Sequence, residues 1–135
     1  MPRYSVTKTI GFCYGHRLIG HKGKCRHLHG HNGLVEIEVE AEELDELGVV
    51  MDFSDIRDAV KGWIDENLDH RMILNRADEA VPALRTLEEP MYLIDENPTA
   101  ENISKLIYVQ ARDMGIDVKE VRLWETPSSY AAYRE

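Results

Sequence analysis

One segment limits the fold more than any other. Within the segment 33–42 (GLVEIEVEAE), apolar side chains and glutamates alternate from residue 35 onward. Successive side chains of a strand point to opposite faces, so this alternation is typical of a half-buried antiparallel strand. The apolar members are Val35, Ile37, Val39 and Ala41. The chain is therefore expected to contain an antiparallel sheet with one covered face and with the glutamates in water.

Other periodic segments complete a set of four strands and two helices. Residues 3–12 alternate like a strand, and residues 118–125 and 129–134 predict two strands at the end of the chain. Helical spacing of apolar residues follows Ser54, a candidate N-cap, and predicts a helix to about Leu68.

A second helix is predicted from Asn97-Pro98-Thr99 to Gly115, a glycine that can end it. Its apolar face comprises Ile103, Leu106, Ile107, Ala111 and Met114. This order predicts an α+β fold, a four-stranded antiparallel sheet with two helices on one face, in a single domain over residues 1–135. Residues 71–96 show no clear pattern beyond a possible short strand at 91–94.

Histidines are concentrated where the alternating strand begins. The segment 24–33 (KCRHLHGHNG) holds three of the six histidines. His29 and His31 are two residues apart, so both point to the apolar side if the strand has no bulge. Converging neutral imidazoles suit Zn²⁺, and a catalytic zinc usually takes three protein ligands. His16 is the third candidate, because antiparallel pairing of the first two strands would place it beside them.

Two other histidines compete with His16 for the third ligand position. His27 has the parity of His29 but lies in a loop, where parity is least reliable, and its role stays open. His21 is expected to have a surface role.

Charge is unevenly distributed along the chain. The first 35 residues contain six Lys/Arg and no acid, although the whole chain carries a formal net charge of −9. The acidic total argues against general binding of nucleic acid, whereas the basic cluster around Lys24 and Arg26 can attract a small anion.

Cysteine content and apolar runs suggest a location. Two cysteines, Cys13 and Cys25, are expected to be free thiols, and the cations next to Cys25 favour a reactive thiolate. No apolar run approaches a membrane span, and residues 1–5 lack the apolar stretch of a secretory signal. A cytoplasmic protein is therefore predicted, with no membrane partner.

Six motifs in this order resemble the 6-pyruvoyltetrahydropterin synthase and 6-carboxytetrahydropterin synthase family. The similarity extends over roughly residues 3–134. The motifs are Phe12-x-x-x-His16-Arg17-Leu18, Cys25-x-x-x-His29-Gly30-His31, Met51-Asp52-Phe53, Leu68-Asp69-His70, Asn97-Pro98-Thr99-Ala100-Glu101-Asn102 and Trp124-Glu125-Thr126.

The resemblance implies a role for each matching residue. His16, His29 and His31 would bind zinc, and Cys25 would be the catalytic base and thiolate. Asp69 and His70 would form a second acid/base group, although a pair that merely ends a helix is the simpler interpretation of these two residues alone.

Substrate contacts are implied at further positions. Glu125 would anchor a pterin ring. A triphosphate would meet the basic residues Lys22, Lys24 and Arg26, with Arg17 as a further candidate. Thr99 is most simply a helix-start residue, and a pterin contact from it would be minor. The implied fold is the tunnelling fold, in which subunits join their sheets into a barrel, and the expected assembly is a homohexamer built from two trimers.

The three-residue gap between Cys25 and His29 is similar to that of the bacterial 6-carboxytetrahydropterin branch. This branch acts on 7,8-dihydroneopterin triphosphate. Two alternatives stay open: a pyruvoyl-type lyase on the same substrate, and a non-catalytic zinc module in which Cys25 is the fourth ligand. Arg71 and the long segment 72–96 depart from the short members of the branch.

Overall fold

The computed structural model describes residues 3–135; Met1 and Pro2, part of the stretch searched for a secretory signal, lie outside it. The strands are β1 (Tyr4–His16), β2 (His29–Ala41), β3 (Arg71–Asn75), β4 (Met91–Ile94), β5 (Val118–Thr126) and β6 (Ser129–Tyr133). The helices are α1 (Phe53–Asn67), α2 (Ala80–Thr86) and α3 (Ala100–Asp113). The strands form one sheet in the order β4-β3-β1-β2-β5-β6.

The four predicted strands make up the antiparallel part of this sheet. β1 pairs with β2, β2 with β5, and β5 with β6, all antiparallel. The α+β prediction is confirmed, and the short strand expected at 91–94 is β4, but β3 and α2 were not predicted. β3 and β4 extend the sheet by parallel pairing, and α2 lies between them. Strands of four or five residues are too short to show a clear period, and the parallel arrangement depends on the crossover through α1.

The core lies between one face of the sheet and the helices α1 and α3. Val35 and Ile37 from β2 are fully buried, as are Ile56 and Ile64 from α1 and Ile103 from α3. Burial of these branched side chains is the main source of stability, since each contributes about 1.5–3 kcal/mol.

Two details of the helix predictions were wrong. Asp52, not Ser54, caps α1, because its carboxylate accepts hydrogen bonds from both the backbone N–H and the hydroxyl of Ser54. Met114 lies just beyond the end of α3 and is 40% exposed rather than buried.

The opposite face of the sheet is covered by ion pairs rather than open to water. Arg122 Nη1 lies 2.9 Å from Glu38, and Arg122 Nε lies 3.2 Å from Glu36. The two glutamate side chains are only 23% and 22% exposed, so the prediction that they simply face water was wrong. Among the described helices, none has the length and apolar character needed to cross a membrane.

Candidate metal centre and active site

The pairing of β1 with β2 brings three histidines together. His16 lies directly opposite His29, and Tyr14 lies opposite His31. The ring centroids of the three histidines are 4.5–5.1 Å apart. One nitrogen from each ring lies within 4.8 Å of the others. The parity argument therefore predicted the geometry of this cluster correctly.

Backbone carbonyls orient two of the three rings. His16 Nδ1 donates to the carbonyl of Pro98 at 2.7 Å, and His29 Nδ1 donates to the carbonyl of His27 at 2.7 Å. A donating Nδ1 leaves Nε2 with a free lone pair in the neutral ring. His27, whose role was open, thus acts through its backbone.

Burial keeps His16 in the form that a metal requires. Its side chain is 2% exposed, and burial lowers the pKa of His16 below its ordinary value. The Pro98 carbonyl and Glu125 oppose this shift, and the other two histidines add to it. His16 Nε2 also lies 3.1 Å from His31 Nε2. Neutral imidazole nitrogens that converge in this way can bind a divalent metal ion.

Glu125 extends from β5 toward this cluster. Its Oε2 lies 3.4 Å from Nε2 of His16 and 3.4 Å from Nε2 of His31. The residue follows the buried Val121 and Leu123 on the same face of β5, as the alternation predicted. A half-buried carboxylate thus lies beside the three imidazoles, where it can bind a ligand that approaches the metal.

Tyr14 belongs to the same site, although sequence reasoning did not select it. Its ring lies 5.2 Å from the ring of His16, and its side chain is buried. Burial first, and then the nearby Glu125 carboxylate, raises the pKa of Tyr14. The even parity of Phe12, Tyr14 and His16 on β1 was the available signal.

Cys25 lies in a single 3₁₀ turn (Lys24–Arg26) of the loop between β1 and β2. It is partly exposed, and its sulfur is not part of the three-histidine cluster. The Cys25 carbonyl accepts from Leu18 N–H at 2.9 Å. The Asn97 side chain makes two hydrogen bonds to the backbone of Ile19, the residue after Leu18. It accepts from the Ile19 N–H at 3.0 Å and donates to the Ile19 carbonyl at 2.9 Å.

Asp69 and His70 follow α1 and form a pair at 2.8 Å. Their anchors are on β1: Asp69 accepts from Cys13 N–H at 3.0 Å, and His70 N–H donates to the Cys13 carbonyl at 2.7 Å. Burial opposes ionisation of Asp69, but the bonds from Cys13 and His70 outweigh it and lower the pKa of Asp69. His70 is 78% exposed and has a φ of 58°.

Among the described residues, the imidazole of His70 bonds to Asp69 and to none of the three clustered histidines. His70 lines a cleft of about 600 Å³ together with Cys13 and Asn32, and this cleft also borders His29 and His31. Cys13 has the opposite parity to His16, so its side chain faces away from the cluster.

The guanidinium of Arg17 already forms an ion pair with Asp78 within the chain. Its Nε lies 2.8 Å from Oδ2 of the buried Asp78, so its expected availability for a triphosphate is not supported. The side chains of Lys24 and Arg26 are exposed, and neither forms an ion pair among the described residues. They keep their charge available for an anion.

Thr99 and His21 have structural contacts. Thr99 caps α3 by accepting from Asn102 N–H at 3.1 Å, so its interpretation as a helix-start residue is confirmed. His21 Nδ1 accepts from Gly23 N–H at 2.8 Å in an exposed turn, in agreement with a surface role.

Comparisons with known proteins give a consistent result. A profile of the family described as 6-pyruvoyl tetrahydropterin synthase matches residues 5–135. The chain is 39% identical over 133 residues to a 6-carboxy-5,6,7,8-tetrahydropterin synthase of Rickettsia bellii, covering 92% of this chain and 95% of that protein. A Haemophilus influenzae protein of the same name is 32% identical over 141 residues, covering 98% and 99%.

Solved structures agree in fold. The uncharacterized protein WS1659 of Wolinella succinogenes aligns with a TM-score of 0.84 and 29% identity, covering 100% of this chain and 99% of that one. A 6-pyruvoyl tetrahydropterin synthase of Caenorhabditis elegans aligns with a TM-score of 0.73 and 21% identity, covering 100% and 97%. The second likeness concerns the fold alone.

Proposed function

The chain belongs to the 6-pyruvoyl tetrahydropterin synthase family, and we propose that it is a zinc-dependent 6-carboxy-5,6,7,8-tetrahydropterin synthase. The reaction would convert 7,8-dihydroneopterin triphosphate and water to 6-carboxytetrahydropterin, acetaldehyde and triphosphate, on a cytoplasmic route to 7-deazapurines such as queuosine. Relatives with this name match over nearly their whole length. The single observation that carries the proposal is the three-histidine cluster with Glu125 at its edge.

The donor set fits zinc, and His16, His29 and His31 would hold it. Zinc bound there would supply a Lewis acid for the oxygens of the substrate side chain. Glu125 would pair with the nitrogen-rich edge of the pterin, a contact that carboxylates make with two hydrogen bonds. The exposed Lys24 would attract the triphosphate, together with Arg26.

Proton transfer would be divided between two groups. The thiolate of Cys25 would remove a proton near the ring from one side. His70, oriented by Asp69, would move a proton on the other side. The hydrogen bond between these two residues would hold the imidazole in one tautomer during the transfer.

The exposure of His70 supports a site shared between copies, because its side chain is 78% exposed and, among the described residues, its ring bonds only to Asp69. If one copy supplies the cluster and Cys25, a neighbour can supply Asp69 and His70. Both edge strands, β4 and β6, leave backbone groups available for pairing with another chain. We therefore infer a homohexamer of two trimers whose active sites lie between subunits.

A non-catalytic zinc module is less well supported. A closed structural site needs a fourth protein ligand, and the sulfur of Cys25 is not in the cluster. A pyruvoyl-type lyase would use the same groups, so the product has to distinguish it. Incubation with dihydroneopterin triphosphate and mass analysis would detect carboxytetrahydropterin if the proposal is correct; a pyruvoyl product would favour the alternative lyase.

A matched pair of variants tests the role of Cys25. Cys25→Ala should keep the fold, bound zinc and pterin binding but lose product formation, because the thiolate is absent. His27→Ala should lose far less, since His27 contributes its backbone carbonyl to the site. Zinc content and product yield are measured in both variants. Loss of zinc from Cys25→Ala would show that the thiol is a metal ligand. Full turnover would show that Cys25 has no catalytic role.

A further inference from the structure

The ring of Tyr14 is fixed in place by its neighbours. It stacks on Phe12 with centroids 5.1 Å apart and meets His16 edge-on at 5.2 Å. Only 3% of the residue is exposed. The packing of the ring against Phe12 and His16 therefore fixes the direction of the Tyr14 hydroxyl.

Space for this ring depends on Gly33 on the neighbouring strand. A Cβ atom at Gly33 would lie 2.9 Å from Tyr14 Cε1 and 3.2 Å from Leu123 Cδ1. Contacts that short would force the ring to move. The large side chain of Tyr14 on β1 thus fits because the neighbouring position on β2 is a glycine, Gly33.

The hydroxyl of Tyr14 is buried and has no hydrogen-bond partner among residues 3–135. A buried polar group left unpaired costs about 1–3 kcal/mol. Native proteins seldom retain such a group without a partner or a role. The packing of Tyr14 would be served equally well by phenylalanine, so the hydroxyl requires a separate explanation.

The Glu125 carboxylate is a nearby acceptor. The ring of Tyr14 lies 5.2 Å from the ring of His16 and 5.6 Å from the ring of His31, and a tyrosine hydroxyl can donate a hydrogen bond. Oε2 of Glu125 also contacts Nε2 of His16 and of His31, the atoms that would face a metal. Tyr14 and Glu125 therefore share two histidine neighbours, and a hydrogen bond between them would give the buried hydroxyl the partner that it lacks.

We propose that Tyr14 is a positioning residue that donates a hydrogen bond to Glu125 and holds its carboxylate toward the pterin and away from the histidines. The inference rests on the proposed role of Glu125 as pterin anchor. Such hydrogen bonds are often loose in a ligand-free site and tighten when the ligand binds.

Tyr14→Phe removes the hydroxyl and keeps the ring, which makes it a sharp test. Binding is measured with dihydroneopterin triphosphate in a Cys25→Ala background, so that the ligand is not consumed. The Kd should rise about tenfold, as expected for loss of a hydrogen bond to a charged group, with zinc content unchanged. In a background that also carries Glu125→Gln, Tyr14→Phe should have little further effect. Tyr92→Phe, which alters a ring packed on Trp63, should leave the Kd unchanged.

A substrate-free measurement separates this inference from the proposed function. Thermal unfolding of the zinc-loaded protein is compared for Tyr14→Phe, Glu125→Gln and the double variant. Non-additive effects are expected if the two side chains interact. Absence of ligand binding by the Cys25→Ala chain would refute the proposed function, whereas additive unfolding would refute the Tyr14–Glu125 contact itself. An unchanged Kd in Tyr14→Phe, with a rise in Tm, would show a purely packing role and would overturn the inference.

Discussion

Removal of the Asn97 side chain should release the loop that carries Cys25. Asn97 makes two hydrogen bonds to the backbone of Ile19, at 3.0 and 2.9 Å. The adjacent Leu18 is bonded to Cys25 through the backbone. The backbone of Asn97 is itself held, since its carbonyl accepts from Thr99 N–H and from the side chain of Asn102. Asn97→Ala therefore disconnects the loop from the start of α3.

The expected size follows from these contacts. Each net hydrogen bond contributes about 0.5–1.5 kcal/mol, and Ile19 is 44% exposed, so water can replace part of the loss. A net cost of about 1 kcal/mol is expected. That free energy would increase the open form of the loop about fivefold. Alkylation of Cys25 by iodoacetamide, measured by mass spectrometry in a Cys13→Ser background, should accelerate by a similar factor.

Catalysis should respond differently from binding. If the loop positions the thiolate, Asn97→Ala should lower kcat more than it raises KM, and zinc content should stay constant. Asn75→Ala is the matched control, because Asn75 makes a comparable bond to Ala77 N–H at 2.9 Å, in a turn after β3. Equal alkylation rates in Asn97→Ala and the unsubstituted chain would refute the reasoning and would indicate that the Arg17–Asp78 pair holds the loop.

Three further outcomes are expected. Glu125→Gln should weaken pterin binding by about 1.5–3 kcal/mol, the range for hydrogen bonds to charged groups, with zinc content unchanged; unaltered affinity in a binding titration would exclude Glu125 from the site. The hydrogen bond from Arg17 lowers the pKa of Asp78, so its stabilisation is present above about pH 4 and is lost as pH falls through the folded-state pKa. Urea unfolding of Asp78→Asn should lack that part of the pH dependence, and an identical pH profile would contradict the assignment. Light scattering should find a homohexamer, and a stable, active monomer would overturn the shared site.

Much of the site was predictable because it lies on two long strands. The alternation from Val35 defines which side of β2 is buried, and that parity places His29 and His31 on the same side. A single assumption, antiparallel pairing with β1, then places His16 beside them. Glu125 was selected through the family resemblance, and its place at the end of a buried row on β5 was a second indication.

The rest depended on contacts that no local pattern encodes. Asp78 is one of six acids in the segment 71–96, which shows no period, and only the folded chain pairs it with Arg17. The parity of Tyr14 could be determined, but the significance of its hydroxyl comes from Glu125 on a strand near the other end of the sequence. The acids Glu36 and Glu38 alternate as expected, yet Arg122 from β5 converts their surface into an ion-paired one.

The hairpin of β1 and β2 also determines the order in which the metal centre can form during synthesis. All three candidate ligands lie between His16 and His31, and both strands are complete by Ala41. The carbonyl of Pro98, which orients His16, lies 82 residues after it. A chain emerging from the ribosome thus presents His16, His29 and His31 long before it makes Pro98. These three histidines precede, in order of synthesis, four of the six strands and the three helices of the described structure.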